Sequence, residues 1–368
     1  MEKIRMTEDQ KMLLNLLGSH PDTPLKELLP QVKYKWISTL RRKINDFKEQ
    51  RILRGPFYEI NYSKICRNPL HLFVSILEFT QRYETVISYL KLIEPLKVIY
   101  PVLSPHKEVL VTLFLSSHTE EMNKLLQLLK DSAIITDYTT HVYTSKRMTE
   151  NPNFFGEVNP SLDNLQDPSD MPDMSLQQHN TDWNECDIYI LPYLETGYKE
   201  GKLIEIIRKE KKQNRTWTYE QVKYSHKKMV NNKLIEKKYM VFPYPYRQCV
   251  DFVVFFNLEN GDTEVMQKIL YNFGRGGRLY RDYVVCEDWG SIGFVCHPLF
   301  LTGLMNKLDK IDEIREKRVY QIRSVPPKKF VLVRAAHLTY FDVETQRLEY
   351  PYHLYRERIR EKLDSKVV

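Results

Sequence analysis

The chain has 368 residues, of which 42% are hydrophobic and 12% aromatic, which is typical of a folded protein with about two to four domains. No apolar run approaches the roughly 20 residues that cross a bilayer, and the N-terminal MEKIRMTEDQ is too charged for a secretory signal. The five cysteines form no CxxC pair, so we expect a cytoplasmic protein without membrane contact.

The net charge of +7 is unevenly distributed. Residues 24–54 hold nine Lys and Arg against three Asp and Glu, and residues 199–238 hold thirteen against five. Between these basic islands, residues 149–187 hold nine Asp and Glu and no Lys or Arg. Such islands indicate an anionic partner, although a solvated surface is the alternative interpretation.

The first 65 residues predict three helices and a wing, at about 7–18, 24–31 and 34–50, followed by two short strand-like runs around Gly55 and Pro56. Thr7 is suited to cap the first helix. The third helix has one apolar stripe, at spacings of three and four: Ile37, Leu40, Ile44 and Phe47. We therefore expect a winged helix-turn-helix, called here the first head.

Residues 66–148 change to the element order βαββαβ. Strands are predicted in LHLFVSILEF, LKVIYPVL, EVLVTLFL and ITDYTTHVYT, and helices in YETVISYLKLI and TEEMNKLLQLLK. This order is that of a ferredoxin-like sandwich, with four antiparallel strands and both helices on one face. We call it the first sandwich.

The second half repeats the whole order. Helices are predicted at 184–195, 201–210 and 218–232, a wing at 234–248, and a second βαββαβ set from FVVFFNL to about residue 323. Cys66 and Cys249 match at an offset of 183 residues, which indicates an internal repeat. These segments are called the second head and the second sandwich.

Two further segments lie outside the repeat. Residues 149–182 contain several prolines and little periodicity, which predicts an irregular linker. Its carboxylates are either a solvated spacer or a DNA mimic that covers a basic head. Beyond residue 325, a strand pair and a basic amphipathic helix are expected, either to cover an edge or to meet a partner.

The predicted fold is therefore α+β, with two winged helix-turn-helix domains and two ferredoxin-like domains packed as an intrachain pseudo-dimer with pseudo-twofold symmetry. Its predicted segments are the first head at 1–65, the first sandwich at 66–148, the linker at 149–182, the second head at 183–248, the second sandwich at 249–325 and the extension at 326–368. Further homo-oligomerisation is left open.

The combination of a winged head and a βαββαβ sandwich resembles the Lrp/AsnC family, the leucine-responsive and feast/famine transcriptional regulators with a RAM domain. The resemblance rests on EDQKMLLNLL, KWISTLRRKINDFKEQRIL and FYEINYSKI in the first half, and on NECDIYILPYL, TYEQVKYSHKKMVNNKLI and VVCEDWGSIGFVCH in the second. It implies transcription regulation through double-stranded DNA, with a possible small-molecule effector. The family has one unit per chain, whereas two unlike heads are expected here to bind unequally.

In such heads the N-terminal part of the third helix enters the major groove. The predicted DNA-binding residues of the first head are Lys33, Lys35, Ser38, Arg41, Arg42, Lys43 and Arg54. Those of the second head are Arg215, Lys223, Tyr224, Lys227, Lys228 and Asn231. Its buried stripe is predicted to be Tyr219, Val222, His226 and Met229.

Other residues are assigned to packing or to weak sites. Trp36 and Trp217 are interpreted as packing residues rather than groove wedges, and His226 as a hydrogen-bonded core histidine. The segment NFGRGGRLYRD concentrates glycines and arginines, so Arg275, Gly276, Gly277 and Arg278 form a weak effector-binding prediction. A plain α-to-β connection is the alternative.

The sequence shows no HExxH, zinc-spaced cysteines or GxSxG elbow, so no catalytic residue, metal or cofactor is predicted and the chain is not expected to be an enzyme. Two alternatives to DNA regulation stay open. One is an interaction protein that kept the fold without DNA binding and uses 328–364 to hold another regulator. The other is a tetrapyrrole enzyme like the sirohaem decarboxylases, because sandwiches of this family also occur there.

Overall fold

The structure is a computed structural model that describes residues 6–104, 106–163, 165–167, 170–259, 261–323 and 332–365. Residues 326–331, where the predicted extension begins, lie outside these ranges. In the described part of the chain, no helix is long and apolar enough to cross a membrane.

Helices and strands alternate along the described residues in an α+β order. The helices are α1 (Glu8–Ser19), α2 (Leu25–Leu28), α3 (Ile37–Glu49), α4 (Tyr83–Leu90), α5 (Thr119–Asp131), α6 (Glu185–Glu195), α7 (Leu203–Lys211), α8 (Tyr219–Asn231), α9 (Thr263–Asn272), α10 (Pro298–Leu308) and α11 (Tyr352–Asp364). The strands are β1 (Leu53–Ile60), β2 (His71–Phe79), β3 (Leu96–Val102), β4 (Glu108–Ser116), β5 (Asp137–Val142), β6 (Met148–Glu150), β7 (Ile235–Val241), β8 (Val250–Leu258), β9 (Tyr280–Cys286), β10 (Trp289–Cys296), β11 (Ile314–Ile322), β12 (Leu332–Val333), β13 (Phe341–Asp342) and β14 (Arg347–Leu348).

The chain divides into two compact units, and each unit combines parts of both halves of the sequence. Unit 1 contains residues 1–57, 147–174 and 237–320, so it joins the first head to the second sandwich. Unit 2 contains residues 58–146, 175–236 and 321–368, so it joins the second head to the first sandwich and the extension. Each head therefore packs in one unit with the sandwich of the other half.

Both units contain an antiparallel sheet with the same strand order. In unit 2 the order is β5-β2-β4-β3, and in unit 1 it is β11-β8-β10-β9, with β6 added beside β9. In both, the fourth strand lies beside the first and the third lies between the first and the second, as in a ferredoxin-like sheet. The predicted α+β class with antiparallel sheets is confirmed, and the duplication stays a prediction.

The predicted wings differ from the structure. The sequence predicts two strand runs around Gly55 and Pro56, but β1 continues through both residues as one strand. The portions of β1 and β7 that belong to unit 1 pair with each other. A Cβ added to Gly55 of β1 would lie 3.0 Å from the carbonyl oxygen of Lys238 in β7. The two strands that follow the third helices thus pair with each other rather than folding back as separate hairpins.

The two heads bury their apolar residues in different ways. In unit 2, Ile188, Val222 and Met229 of the second head belong to the same hydrophobic core as Phe73 and Leu125 of the first sandwich. In unit 1, the first head has a core of its own, which is separate from the core of the second sandwich. The second head therefore shares one core with the first sandwich, whereas the small core of the first head needs support from further contacts.

The linker supplies that support within unit 1, which corrects the interpretation of a solvated spacer. Phe154 is buried in the core of the first head, whereas Leu162, Leu165 and Met174 are buried in the core of the second sandwich. We call residues 148–174 the strap. It connects two hydrophobic cores of unit 1, so its apolar residues are as structural as those of the helices.

A short polar segment fixes the start of the strap. Asn151 donates through Nδ2 to the carbonyls of Gly18 (3.1 Å) and Tyr239 (2.9 Å), and its Oδ1 accepts from the backbone N–H of Val241 (2.8 Å). One side chain thus holds the end of α1 and the strand β7 together. The side chain of Asn15 also accepts from the backbone N–H of Phe154 at 3.0 Å.

The extension covers its own unit. Tyr352, Tyr355 and Ile359 of α11 are buried in the core of unit 2, and Tyr352 Oη lies 2.8 Å from Ser116 Oγ. On the charged side of α11, Arg358 pairs with Glu94 at 2.9 Å. These contacts occupy much of α11, the helix that would hold another regulator if the chain were an interaction protein.

We expect Phe154→Ala to destabilise unit 1 by about 3–5 kcal/mol. Phe154 is only 2% exposed, so the substitution leaves a cavity in the core of the first head. The neighbouring Phe155 is 49% exposed and provides a matched control, for which Phe155→Ala should change stability by about 0.5 kcal/mol or less. Urea unfolding followed by circular dichroism measures both, and equal effects would contradict the buried position of Phe154.

Candidate nucleic-acid interface

Helix α3 has one buried side and one basic side, as the sequence predicts. Leu40, Ile44 and Phe47 are buried in the core of the first head, while Ile37 is partly buried. Because helical residues three and four positions apart share a face, this spacing turns the remaining side chains to solvent. The predicted base-reading residues Lys35, Ser38 and Arg42 are all exposed.

The exposed cations of this face make no ion pair with any described residue. They are Lys33, Lys35, Arg41, Arg42 and Arg54. Lys43 differs, because it is half-buried and lies 3.4 Å from Asp46 one turn later on α3. Four of these cations lie at or before the N-terminal half of α3 and Arg54 lies on β1, and together they form an electropositive surface without a counter-charge among the described residues. We call this group the α3 basic face.

The structure corrects the interpretation of Trp36. Its side chain is 69% exposed instead of packing against the head, and it occupies the N-cap position of α3 without making a side-chain cap. Trp217 behaves as predicted, since it is half-buried and packs against the core of unit 2. The apolar spacing of α3 starts only at Ile37, which leaves Trp36 outside the buried stripe.

The buried side of helix α8 differs from the one that the sequence predicts. Its start is fixed by a capping box in which Thr218 accepts from the backbone N–H of Gln221. Ser225 is buried together with Val222 and Met229, whereas Tyr219 is 48% exposed. His226 is half-buried with Nε2 2.9 Å from Tyr58 Oη, which confirms a hydrogen-bonded packing histidine.

Arg215 does not face solvent as a phosphate ligand would. It forms an ion pair with Glu210, whose side chain is fully buried, and its Nη2 donates to Glu210 Oε1 at 3.1 Å. Burial alone would raise the pKa of Glu210, but the hydrogen bonds from Arg215 and Tyr193 outweigh it and hold the pKa below its ordinary value. Arg215 is therefore a structural partner of a buried carboxylate.

Lys228 has a similar structural role. Its Nζ lies 2.8 Å from Oδ2 of the buried Asp187 and donates to the Asp182 carbonyl at 2.7 Å. Lys223 lies 3.4 Å from Glu220 on the same exposed face of α8. Of the predicted contacts on this head, Tyr224, Lys227 and Asn231 are exposed. The two heads thus differ in how many of their cations are available.

The loop proposed for an effector is occupied by the strap. Residue by residue, β6 pairs with β9, and Glu150 stands opposite Arg281 with Oε2 2.9 Å from its Nε. The amide of Gly276 donates to Glu150 Oε1 at 3.3 Å, and the amide of Arg278 donates to the Glu157 carbonyl at 2.7 Å. The loop does present donors to an anion, but that anion is a carboxylate of the same chain.

Close backbone approach explains Gly156 of the strap. A Cβ added to Gly156 would lie 2.1 Å from the Gly276 carbonyl oxygen, so only glycine fits. Arg278 lies over the rings of Phe154 (5.2 Å) and Tyr244 (4.5 Å), and Arg275 lies over Tyr271 (4.3 Å). The linker therefore accepts hydrogen bonds from the amides of Gly276 and Arg278, and the effector site at residues 275–278 stays a prediction.

Unit 2 has a surface groove that contains several charged side chains. Its lining includes Glu78, His106, Lys107, Glu108, Lys130 and Asp137. Lys107 pairs with Glu78 and Lys130 lies 2.7 Å from Asp137, so both of these lysines already have carboxylate partners. Because Glu108 is a third carboxylate beside these two lysines, the groove has no excess positive charge.

Sequence reasoning missed the two buried carboxylates, Asp187 and Glu210. One signal was available for Asp187, which stands three residues after Asn184 and completes its capping box. Glu210 carries no such signal, because it lies within a run of lysines that reads as a solvated helix end. Only the packing of α7 against α8 places it inside.

Comparisons with known proteins bear on the fold. No known family and no curated protein matches the sequence. Among solved structures, the siroheme decarboxylase NirDL in complex with an iron-uroporphyrin III analogue matches with a TM-score of 0.51 and 10% identity, over 98% of this chain and 100% of that one. Another structure of NirDL gives 0.49 and 11%, over 98% and 99%. The leucine response regulatory protein LrpA of Mycobacterium tuberculosis gives 0.29 and 17%, over 37% of this chain and 91% of that one.

Removing Arg215 should destabilise unit 2 by about 3 kcal/mol, because Arg215→Ala leaves the buried Glu210 carboxylate without its cation. A matched control is Arg208→Ala, since Arg208 pairs with Glu205 at the surface and should cost about 0–1 kcal/mol. Thermal unfolding at pH 7.5 measures both, and equal melting temperatures for the two variants would contradict the structural role.

The deficit of Arg215→Ala should also depend on pH. A carboxyl whose pKa is lowered by folding stabilises the protein above its unfolded pKa of about 4.3, and this contribution is lost as the pH falls through the folded value. The difference between wild type and variant should therefore be complete above about pH 4.3 and shrink over the range below that value. A difference that stays constant over this range would show that lost packing, not lost charge, causes the deficit.

Proposed function

We propose that the chain is a double-stranded DNA-binding regulator that contacts DNA chiefly through its first head. The observation that carries this proposal is the α3 basic face, whose exposed cations have no ion-pair partner among the described residues. In a helix-turn-helix this part of the third helix is the one that enters the major groove. The cations neutralise phosphates there, and Ser38 and Arg42 lie where base edges are read.

The second head has a lesser role in this proposal. Two of its predicted phosphate ligands, Arg215 and Lys228, are bound to buried carboxylates, and its core is continuous with the first sandwich. Breaking either ion pair to reach DNA would leave a buried charge uncompensated. The first head therefore supplies most of the affinity, and the operator is an asymmetric site or an imperfect palindrome.

A second candidate function is a tetrapyrrole enzyme, favoured by the match to NirDL over the full length of both chains. At 10% identity this match shows the fold alone, and one fold supports many functions. Titration with siroheme, followed by its absorption spectrum for binding and by mass spectrometry for decarboxylation, tests it directly, and saturable binding with decarboxylation would establish it over the regulator.

Charge reversal on the α3 basic face tests the proposed function. The double variant Arg41→Glu and Arg42→Glu should weaken binding to double-stranded DNA by about 100-fold or more, because two phosphate or base contacts become repulsive. Wild-type affinity should fall steeply between about 50 and 200 mM salt, and the variant should show a shallower salt slope. Fluorescence anisotropy with a labelled duplex measures both quantities.

A matched control keeps the same charge change in the same unit. Lys310 and Arg315 are exposed and lie outside the head, so Lys310→Glu with Arg315→Glu should bind DNA within a few-fold of wild type. Equal losses in the two double variants would mean that net charge alone drives binding. Wild-type affinity that is absent, or indifferent to salt, would refute DNA binding by this face.

A further inference from the structure

The most exposed large apolar side chain among the described residues is Trp36, at 69%. The other tryptophans lie in packed surroundings: Trp183 is 1% exposed, and Trp217 and Trp289 are half-buried. An indole in water forgoes on the order of 2 kcal/mol of burial free energy, so its exposure gains nothing for the isolated protein.

The position of Trp36 is also unfavourable for the helix that it begins. N-cap positions favour Ser, Thr, Asp and Asn, whose side chains stabilise a helix by about 1 kcal/mol. Three other head helices use this device, with capping boxes at Thr7, Asn184 and Thr218. Neither solvation nor capping therefore explains Trp36, and local conflicts of this kind concentrate at functional positions.

The surroundings of Trp36 indicate what it meets. Lys35 precedes it directly, Lys33 lies two residues further back, and Arg41 follows in the second turn of α3. All three are exposed, and none has an ion-pair partner in the described part of the chain. A polyanion held by these cations would bring its bases to the indole. Aromatic rings stack on unstacked bases with about 1–3 kcal/mol of free energy, which offsets part of the few kcal/mol that unstacking a base step costs.

We infer that Trp36 stacks on a base of the bound duplex at a locally unstacked pyrimidine–purine step. The residue then adds a preference for deformable sequence to the phosphate contacts of the α3 basic face, because TA and CA steps cost least to open. This inference rests on the proposed function, since the cations deliver the indole to DNA. It adds a specificity-determining contact that no cation on this face provides.

The experiment uses the full chain with two duplexes of the same composition, one with a central TA step and one with that step permuted away. Tryptophan fluorescence of the wild type should be quenched on binding, and Trp36→Phe should lose most of the quenching while it binds within a few-fold of wild type. Trp36→Leu should bind the TA duplex about 5- to 150-fold more weakly, with an unchanged salt slope. Met12→Ala, which removes another exposed apolar side chain of the same head, should change neither property.

The outcomes separate this inference from the proposed function. If wild type binds with a steep salt slope but Trp36→Leu matches it without any quenching, the inference is overturned and DNA binding stands. If Trp36→Leu weakens binding to both duplexes equally and the wild type shows no quenching, the indole contacts the backbone, which also overturns base stacking. If the wild type binds neither duplex at 50 mM salt, the proposed function fails and the inference fails with it. Melting temperatures of the variants should equal that of the wild type, since Trp36 lies outside the core.

Discussion

A winged head of about sixty residues buries only about 60% of the surface that its unfolded chain exposes, so it is marginally stable by itself and gains stability from further contacts. The second head gains these contacts by merging its core with the first sandwich and the extension. The first head keeps a separate core and receives Phe154 from the strap and Val241 from β7. The same small-domain problem therefore has two solutions in one chain.

The two heads also differ in their charged surfaces. In the second head, Asp187 and Glu210 are buried and have Lys228 and Arg215 as partners. The first head has no buried carboxylate among its described residues, and the cations of its α3 basic face are exposed. The second head therefore uses two of its cations for structure, whereas those of the α3 basic face remain available.

The sequence predicts the elements well and their partners poorly. Amphipathic spacing predicts α3, and short apolar runs predict the strands of both sheets, because these patterns depend on neighbours that are close in sequence. Which sandwich each head packs against, and which strand pairs with β1, depend on contacts between residues almost two hundred positions apart. No local pattern carries that information.

The candidate site shows the same division. The exposed residues of α3 followed from its helical period, whereas the outward position of Trp36 and the pairing of Arg215 with Glu210 did not. Periodicity predicts which face a side chain occupies, but not whether an oppositely charged residue from another helix lies there. In the loop at 274–281, composition predicts anion-binding donors but gives no sign that Glu150 accepts hydrogen bonds from Gly276 and Arg281.

The strap also restricts how the connection between the halves of the chain can change in length. Glu150 is the last residue of the paired strand β6, Asn151 makes the contacts to α1 and β7, and the ring of Phe154 is buried. Because these contacts fall within five residues, an inserted amino acid would shift one of them out of register. Asp170 and Asp173 are exposed and lie between the buried Leu165 and Met174, where added length would disturb less. Tags, probes or natural insertions are thus tolerated late in this connection and excluded from its beginning.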